Sequence, residues 1–129
     1  FAFCAAEGID VQHILYDAED CRTFLRLRDQ GVIPGDRPQV LHVLGRYSAG
    51  QVSDAAEIAP RIASLDGHEV DWGLCAFGRN ETACLIETLR LGGKARIGFE
   101  NNFEHPDGRI AASNAERVRN LLDHLTPMG

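Results

Sequence analysis

The order of local structures along the chain is the feature that most restricts its fold. Apolar segments typical of strands lie at residues 11–16, 39–44, 70–77 and 94–100. Each is followed by a segment with helical character, at about residues 18–30, 53–65, 81–91 and 114–125. Strict alternation of strands and helices predicts a parallel sheet covered by helices. Two architectures fit: an open doubly wound sheet, and an arc of an eight-stranded barrel.

Capping residues and glycines define the predicted helix ends. The predicted N-caps are Asp17, Ser53 and Asn80. Ser113 and Glu116 form a capping box at the start of the last helix. Pro60 should bend or shorten the second helix. The opening FAFCAAEG reads as the end of a helix that stops at Gly8, so we expect the chain to begin in the middle of a protein.

Composition excludes several classes of protein. The 129 residues correspond to one domain, and the net charge of -6 argues against a general affinity for nucleic-acid phosphates. No apolar run approaches the roughly 20 residues of a membrane span. Four cysteines occur without a CxxC pair or metal-ligand spacing, at Cys4, Cys21, Cys75 and Cys84. We therefore expect free thiols and a reducing, cytoplasmic location.

In both candidate architectures the carboxyl ends of the strands carry the chemistry. Arg46 and Arg79 each follow a glycine just after a strand. A guanidinium group matches a carboxylate or phosphate in two-point geometry, so both arginines are predicted to bind an anionic substrate. The alternative is that they are surface arginines bonded to loop carbonyls.

Glu100 stands at the end of the fourth predicted strand. A carboxylate there is costly to bury unless it is paired or binds a metal. Two interpretations remain open: an ion pair with Arg96 or Arg79, or a metal ligand or catalytic group. Strand alternation places Arg96 on the same face as Gly98 and Glu100, and Gly98 leaves space between them.

The histidines and known motifs add little chemistry. His13 and His42 fall inside strands and are predicted to be structural, whereas His68, His105 and His124 are predicted to be solvated. Neither HxH nor HExxH occurs, and GxSxG, GxxxxGK and GxGxxG are also missing.

Three segments, in this order and spacing, resemble the C-terminal half of the β-keto acid cleavage enzymes, which are zinc-dependent TIM barrels. They are VLGRYSAGQVSDAAEIAP at residues 43–60, WGLCAFGRNETACLIETLRLGGKARIGFENN at residues 72–102 and PDGRIAASNAERVRNLL at residues 106–122. The resemblance implies an α/β fold, the (β/α)4 half of a TIM barrel, as a single C-terminal region over residues 1–129.

The resemblance also implies a reaction, in which a β-keto acid and acetyl-CoA exchange acyl groups. By matching positions, Glu100 corresponds to the carboxylate ligand of the family's zinc. Arg96 and Asn101 take catalytic positions, and Asn102 is predicted to bind substrate together with Arg46 and Arg79. The resemblance thus implies a lyase or a transferase.

Three departures from the family pattern shape these expectations. Asn101 stands where aspartate is frequent, and Gln12 and Ile14 stand where glutamates are common. The family's HxH pair of zinc ligands does not occur in this chain. A zinc site needs at least three protein ligands, and four strands cannot close a barrel. We therefore expect the N-terminal half, with the other ligands, to be a second half-barrel chain or a region truncated from this one. A homo-oligomer of two copies could also close a barrel, but Glu100 would then lack its histidines.

Two other functions compete with the enzyme. One is a catalytically inactive half-barrel that acts as an assembly module, which would explain Asn101, Ile14 and the missing HxH. The other is a small flavodoxin-like or receiver-like domain. This last class lacks support, because the expected phosphate loop or acidic pocket after the first strand does not occur.

Overall fold

The computed structural model describes residues 1–65 and 67–126 of the chain. The helices are α1 (Ala2–Ala6), α2 (Ala18–Asp29), α3 (Ile58–Ala63), α4 (Glu81–Arg90) and α5 (Asn114–Leu125). The strands are β1 (Gln12–Leu15), β2 (Gln39–Leu44), β3 (Asp71–Ala76) and β4 (Lys94–Ala95). Two short 3-10 turns, Ala49–Gln51 and Ala55–Glu57, lie between β2 and α3. Within residues 1–65 and 67–126, no helix has the length and apolarity to cross a membrane.

The sheet is parallel, and its strands lie in the order β1-β2-β3-β4. A doubly wound sheet reverses its strand order at a switch point, whereas strands in a barrel follow one another around the ring. The sequential order therefore confirms the predicted (β/α)4 arc of a TIM barrel. In the described part of the chain, the outer edges of β1 and β4 have no partner strand, as expected for an arc.

Alternation along the strands gives the sheet two different faces. One face packs against the helices, where Leu44 and Leu74 join a cluster with residues of α3, α4 and α5. A second cluster on this face joins Leu15 and Val40 to α2. The other face carries a separate apolar cluster of Leu41, Val43, Cys75 and Phe77. We call it the concave face, because it corresponds to the interior of a barrel.

Two of the predicted N-caps are confirmed. Asp17 accepts a hydrogen bond from the Asp20 amide at 2.8 Å, and Ser113 accepts one from the Glu116 amide at 3.1 Å. The second half of the predicted capping box is wrong. The Glu116 carboxylate accepts from the Ala112 amide at 3.0 Å and does not return to Ser113.

The helix that follows β2, α3, begins later than predicted. Ser53 is buried and donates to the Phe77 carbonyl at 2.7 Å, which joins the segment after β2 to the end of β3. Asp54 caps the 3-10 turn instead, and α3 itself covers only Ile58–Ala63. The predicted cap Asn80 also lacks a capping bond, since its amide donates to the Ser53 carbonyl at 2.9 Å.

The fourth strand is much shorter than predicted. It pairs with β3 only over Lys94–Ala95, and the Arg96 amide adds one more bond to the Leu74 carbonyl at 3.0 Å. The chain then turns, because the amides of Asn101 and Asn102 both donate to the Gly98 carbonyl. Glu100 therefore lies in a turn, and the prediction that it ends a buried strand is wrong.

The prediction that His13 and His42 are structural agrees with their packing. The centre of the His13 ring lies 5.2 Å from that of Phe1 and 5.3 Å from that of Phe24. His42 is completely buried beside Trp72, and neither ring nitrogen has a hydrogen-bond partner among the described residues. Burial and, to a smaller extent, the charge of nearby Arg61 lower the pKa of His42 to about 4.

His42 should make the stability of the protein pH-dependent. The unfolded chain takes up a proton near pH 6.5, whereas the folded chain excludes it until about pH 4. The stabilisation is therefore complete above pH 6.5, and roughly 3 kcal/mol is lost as the pH falls to 4. Urea unfolding of the wild type and His42→Leu at pH 7 and pH 4.5 measures this contribution. Equal losses of stability in the two proteins would contradict it.

Candidate functional site

The carboxyl ends of the strands form a rim above the concave face. The Arg46 guanidinium lies 5.4 Å from the centre of the Phe77 ring and 5.6 Å from that of Tyr47. The centres of the Tyr47 and Tyr16 rings lie 5.1 Å apart, and Tyr16 packs against the concave cluster. Stacking on aromatic faces holds an arginine in place without neutralising its charge. Arg46 has no carboxylate partner among the described residues, so it offers the rim an oriented cation.

The glycines before Arg46 and Arg79 are required by the backbone. Gly45 and Gly78 have φ values of +77° and +89°, which side-chain-bearing residues rarely adopt. A Cβ would also lie 2.4 Å from Ser53 Oγ at Gly45 and 2.1 Å from the Gln51 carbonyl at Gly78. The repeated glycine–arginine pair thus reflects two tight turns that end strands β2 and β3.

Arg96 and Glu100 form an ion pair at the rim. One of the two interpretations of Glu100 is therefore realised in the structure. The Glu100 side chain is 71% exposed and that of Arg96 is 42% exposed, so the pair is open to solvent and accessible to a ligand. An ion pair of this kind contributes little stability, about 0–1 kcal/mol.

Asn101 follows Glu100 in the chain and is buried. It is 5% exposed, and among the described residues neither polar atom of its side-chain amide has a hydrogen-bond partner. The Asn101 amide acts on the thiol of Cys75 in the concave cluster. Burial raises the pKa of the Cys75 thiol, while Arg96 and the Asn101 amide act in the opposite direction. The charge of Arg96 and the amide of Asn101 thus both act on Cys75, near the carboxyl end of β3.

The other two predicted substrate-binding residues lie apart from this group. The Asn102 side chain is used within its own loop, since it donates to the Glu104 carbonyl at 2.8 Å and accepts from the Glu104 amide at 3.1 Å. Arg79 is exposed, and in the described part of the chain its side chain forms no hydrogen bond or ion pair.

A cleft of about 240 Å³ lies at the amino ends of the strands, and Arg96 is the residue of the rim that also lines it. All four strands line it, including Gln12 of β1, Leu41 of β2, Gly73 of β3 and the segment Lys94 to Arg96. Gly73 supplies no side chain, and a Cβ there would lie only 3.0 Å from the Lys94 carbonyl. The arc therefore leaves an open concave surface below Arg96.

The described residues do not form a metal site by themselves. Nowhere in residues 1–65 and 67–126 do three or more histidine, cysteine, aspartate or glutamate side chains come together in a way that could hold a metal ion. Glu100 offers one carboxylate at the rim, and Arg96 occupies it. A zinc ion at Glu100 would need its other protein ligands from residues outside this set.

A buried polar network lies behind the rim, between α4 and α5. Glu81 and Arg117 form an ion pair in which both side chains are fully buried. Burial raises the pKa of Glu81, although its bonds to Arg117 act against this. The Glu81 carboxylate also accepts from the Gly98 amide at 3.4 Å. The network therefore reaches the turn that contains Glu100.

His105 extends this network and is not solvated as predicted. It is 2% exposed, its Nε2 lies 2.9 Å from Glu116 Oε1, and its Nδ1 lies 3.4 Å from Arg117. The tautomer with its proton on Nε2 satisfies both contacts. Arg109 donates to the same Glu116 oxygen and holds the pKa of that carboxyl down at about 2.

Sequence reasoning missed Glu81, Arg117 and Asn114, which support the rim from the helix side. Only a weak signal was available: Glu81 and Arg117 lie on the apolar faces of helices, where an unpaired charge would be costly. The partner of each charge is 36 residues away in the chain, so no local pattern connects them.

A sequential parallel (β/α)4 arc with a polar carboxyl-end rim defines a barrel-type α/β enzyme scaffold. A sequence model of the β-keto acid cleavage enzyme family matches residues 1–129. The chain therefore belongs to the β-keto acid cleavage enzyme family, and the predicted resemblance is confirmed.

A curated relative is similar over most of the chain. It is the 3,5-dioxohexanoate:acetyl-CoA acetone transferase of Paraburkholderia graminis, which is 26% identical over 134 residues. The match covers 96% of this chain and 43% of the relative. The chain thus spans less than half the length of the curated relative that it matches.

Proposed function

We propose that this region contributes the C-terminal arc of an enzyme that exchanges acyl groups between a β-keto acid and acetyl-CoA. The observation that carries the proposal is the Arg96–Glu100 pair at the carboxyl-end rim of a family scaffold. The name of the curated relative, an acetyl-CoA acetone transferase acting on 3,5-dioxohexanoate, supports the reaction class. The products are a new CoA thioester and acetoacetate or a closely related keto acid.

The rim residues suit the charges of this reaction. A β-keto acid carries a carboxylate, and carbon–carbon bond exchange places developing negative charge on a neighbouring keto oxygen. Oriented cationic donors stabilise such charge best where water is excluded. Arg96 is proposed to hold the carboxylate region and move a proton, and Arg46 to supply a second fixed cation.

Asn101, Asn102 and Arg79 have narrower proposed roles. The Asn101 amide can donate a hydrogen bond to a neighbouring group, but it cannot accept a proton at neutral pH. It therefore cannot relay a proton from Arg96, and its proposed role is to donate a hydrogen bond to a bound substrate. Asn102 shapes the loop beside the substrate, and Arg79 is available to an anionic part of the substrate or of acetyl-CoA.

We also propose that Glu100 is the carboxylate ligand of a zinc ion. The remaining ligands would come from an N-terminal half, present in a longer chain or supplied by a second chain. Zinc bound there would act as a Lewis acid toward the keto group. Glu100 would then release Arg96, which frees the guanidinium for the substrate carboxylate. A reducing cytoplasm suits this site, and all four cysteines are free thiols.

The experiment uses a protein in which this region is joined or mixed with the N-terminal half of the family. We expect zinc to co-purify, and acetyl-CoA-dependent consumption of at least one member of a panel of β-keto acids. Glu100→Gln removes the charged ligand and should lower zinc content below half and activity by about 10²-fold or more. Zinc is measured by atomic absorption, and products are measured by mass spectrometry.

Glu104→Gln is the matched control, since Glu104 lies in the same loop and uses its backbone in the bonds to Asn102. It should leave zinc and activity unchanged. Equal zinc content in the Glu100→Gln variant and the wild type would contradict the ligand role. Zinc-loaded protein that consumes no keto acid would contradict the reaction.

A catalytically inactive assembly module is the second candidate. It is favoured by Asn101, whose amide cannot serve as a base, and by the unpaired edges of β1 and β4 in the described residues. Under this alternative the assembled protein forms and shows no acyl exchange, so the same assay separates the two functions.

A further inference from the structure

The turn from Gly98 to Asn102 carries Glu100 and Asn101, yet its position is fixed from behind by helices α4 and α5. Asn114, the first residue of α5, accepts a hydrogen bond from the Phe99 amide through its Oδ1 atom at 2.8 Å. A Cβ on Gly98 would lie 3.0 Å from that oxygen, so the side chain and the turn are closely packed.

A second contact comes from α4. Glu81 accepts from the Gly98 amide at 3.4 Å with one oxygen, and its other oxygen bonds Arg117 of α5. Asn102 also approaches the Glu81 carboxylate. Since Glu81 and Arg117 are fully buried, this contact cannot be replaced by water without disturbing the interior.

The two contacts act on consecutive amides of the same turn, Gly98 and Phe99. Neither Asn114 nor Glu81 bonds the side chains of Arg96 or Glu100. They therefore act on the rim only through the backbone. A misplacement of about 1 Å at a reacting group can lower a rate by about 10²-fold.

We propose that Asn114 and the buried Glu81–Arg117 pair are positioning residues, which hold the Gly98–Asn102 turn so that Arg96, Glu100 and Asn101 face the rim. The effect of these residues on catalysis rests on the proposed function. Their effect on the position of the Gly98–Asn102 turn does not depend on it.

Asn114→Ala tests the first contact in the chain alone. The Phe99 amide loses its acceptor, so its hydrogen exchange, followed by NMR, should accelerate by about five- to tenfold. Asn114→Asp keeps an acceptor at the helix N-terminus and should restore slow exchange. Asp123→Ala, at an exposed position further along α5, is the control and should leave the Phe99 amide unchanged.

Two double variants test the second contact without leaving a buried charge unpaired. Glu81→Gln with Arg117→Met keeps an acceptor for the Gly98 amide, whereas Glu81→Leu with Arg117→Met removes it. We expect about fivefold faster exchange at Gly98 in the leucine variant than in the glutamine variant. Equal exchange at Phe99 in Asn114→Ala and Asn114→Asp, or at Gly98 in the two doubles, would overturn the proposal.

The catalytic consequence is tested separately in the assembled enzyme. Asn114→Ala should lower kcat by roughly tenfold or more and leave the KM for acetyl-CoA unchanged, and Asn114→Asp should recover most of kcat. If the assembled wild-type enzyme has no activity, that result counts against the proposed function alone. The hydrogen-exchange measurements still decide whether these residues position the turn. Active enzyme with unchanged kcat in Asn114→Ala would overturn the positioning role.

Discussion

Replacing Arg117 with methionine should lower the free energy of unfolding by about 3–5 kcal/mol. The reason is the location of its partner: the Glu81 side chain is fully buried and bonds Arg117 from the first turn of α4. Without the guanidinium, the carboxylate remains in the interior with only the long contact to the Gly98 amide and its neighbour Asn102. A charge left in this state either stays uncompensated or takes up a proton, and both outcomes destabilise the fold.

The predicted loss of stability is large because Glu81 is left buried without Arg117. It does not mean that the ion pair itself stabilises the fold by this amount. Removing both charges in Glu81→Leu with Arg117→Met should therefore recover most of the lost stability. Arg117 Nε has no hydrogen-bond partner among the described residues, which makes the wild-type pair less than ideal. Urea unfolding of the wild type, the single variant and the double variant measures the three free energies.

Two outcomes would contradict this account of the pair. If Arg117→Met unfolds at the same urea concentration as the wild type, the carboxylate is not held by the arginine. If the double variant is as unstable as the single one, the loss comes from packing of the long side chain. Should the single variant fail to fold, the double variant still decides between charge and packing.

The fold was predictable from the sequence because its signals are local. Alternating strand and helix segments reported the parallel sheet, and the capping residues Asp17 and Ser113 placed two helix starts correctly. Local signals failed where tertiary bonds competed with them. Ser53 looks like a helix cap, but its hydroxyl reaches the Phe77 carbonyl of the next strand.

The fourth strand shows the same limit. The sequence KARIGFE has strand character throughout, yet only Lys94–Ala95 pairs with β3. An edge strand with no outer neighbour in the described residues has few backbone partners, and the Gly98 and Phe99 amides find side-chain acceptors instead. These acceptors come from α4 and α5, so no pattern within the strand could predict the turn.

The candidate site was predictable in part. Glycines and arginines after the strands indicated the rim, and the spacing of Arg96 and Glu100 brought them together, although as an ion pair on a turn and not along a strand. The support behind the rim was not predictable. His105 was expected in solvent because it falls in a predicted loop, but it is buried and its ring nitrogens contact Glu116 and Arg117 of α5.

In the assembled enzyme, Arg96→Leu should lower kcat/KM by about 10²–10³-fold. Among residues 1–65 and 67–126, Arg96 is the one cation that forms an ion pair with Glu100 at the rim, so it is placed to meet the charge of a keto acid. Its contribution to the free energy of unfolding is small, because an exposed ion pair contributes about 0–1 kcal/mol. Activity and stability should therefore separate: a large loss in the acetyl-CoA-dependent assay with almost unchanged urea unfolding.

Arg90→Leu provides the matched control, since Arg90 also forms an exposed ion pair with a glutamate, Glu87, but on the outer side of α4. It should change neither activity nor stability appreciably. Arg96→Lys keeps the positive charge and loses the planar two-point donor, so its activity should lie between those of the leucine variant and the wild type. If Arg96→Leu retained wild-type activity, Arg96 would have no part in the reaction. Arg46, stacked on Phe77, and the exposed Arg79 would then be the candidates for the substrate carboxylate.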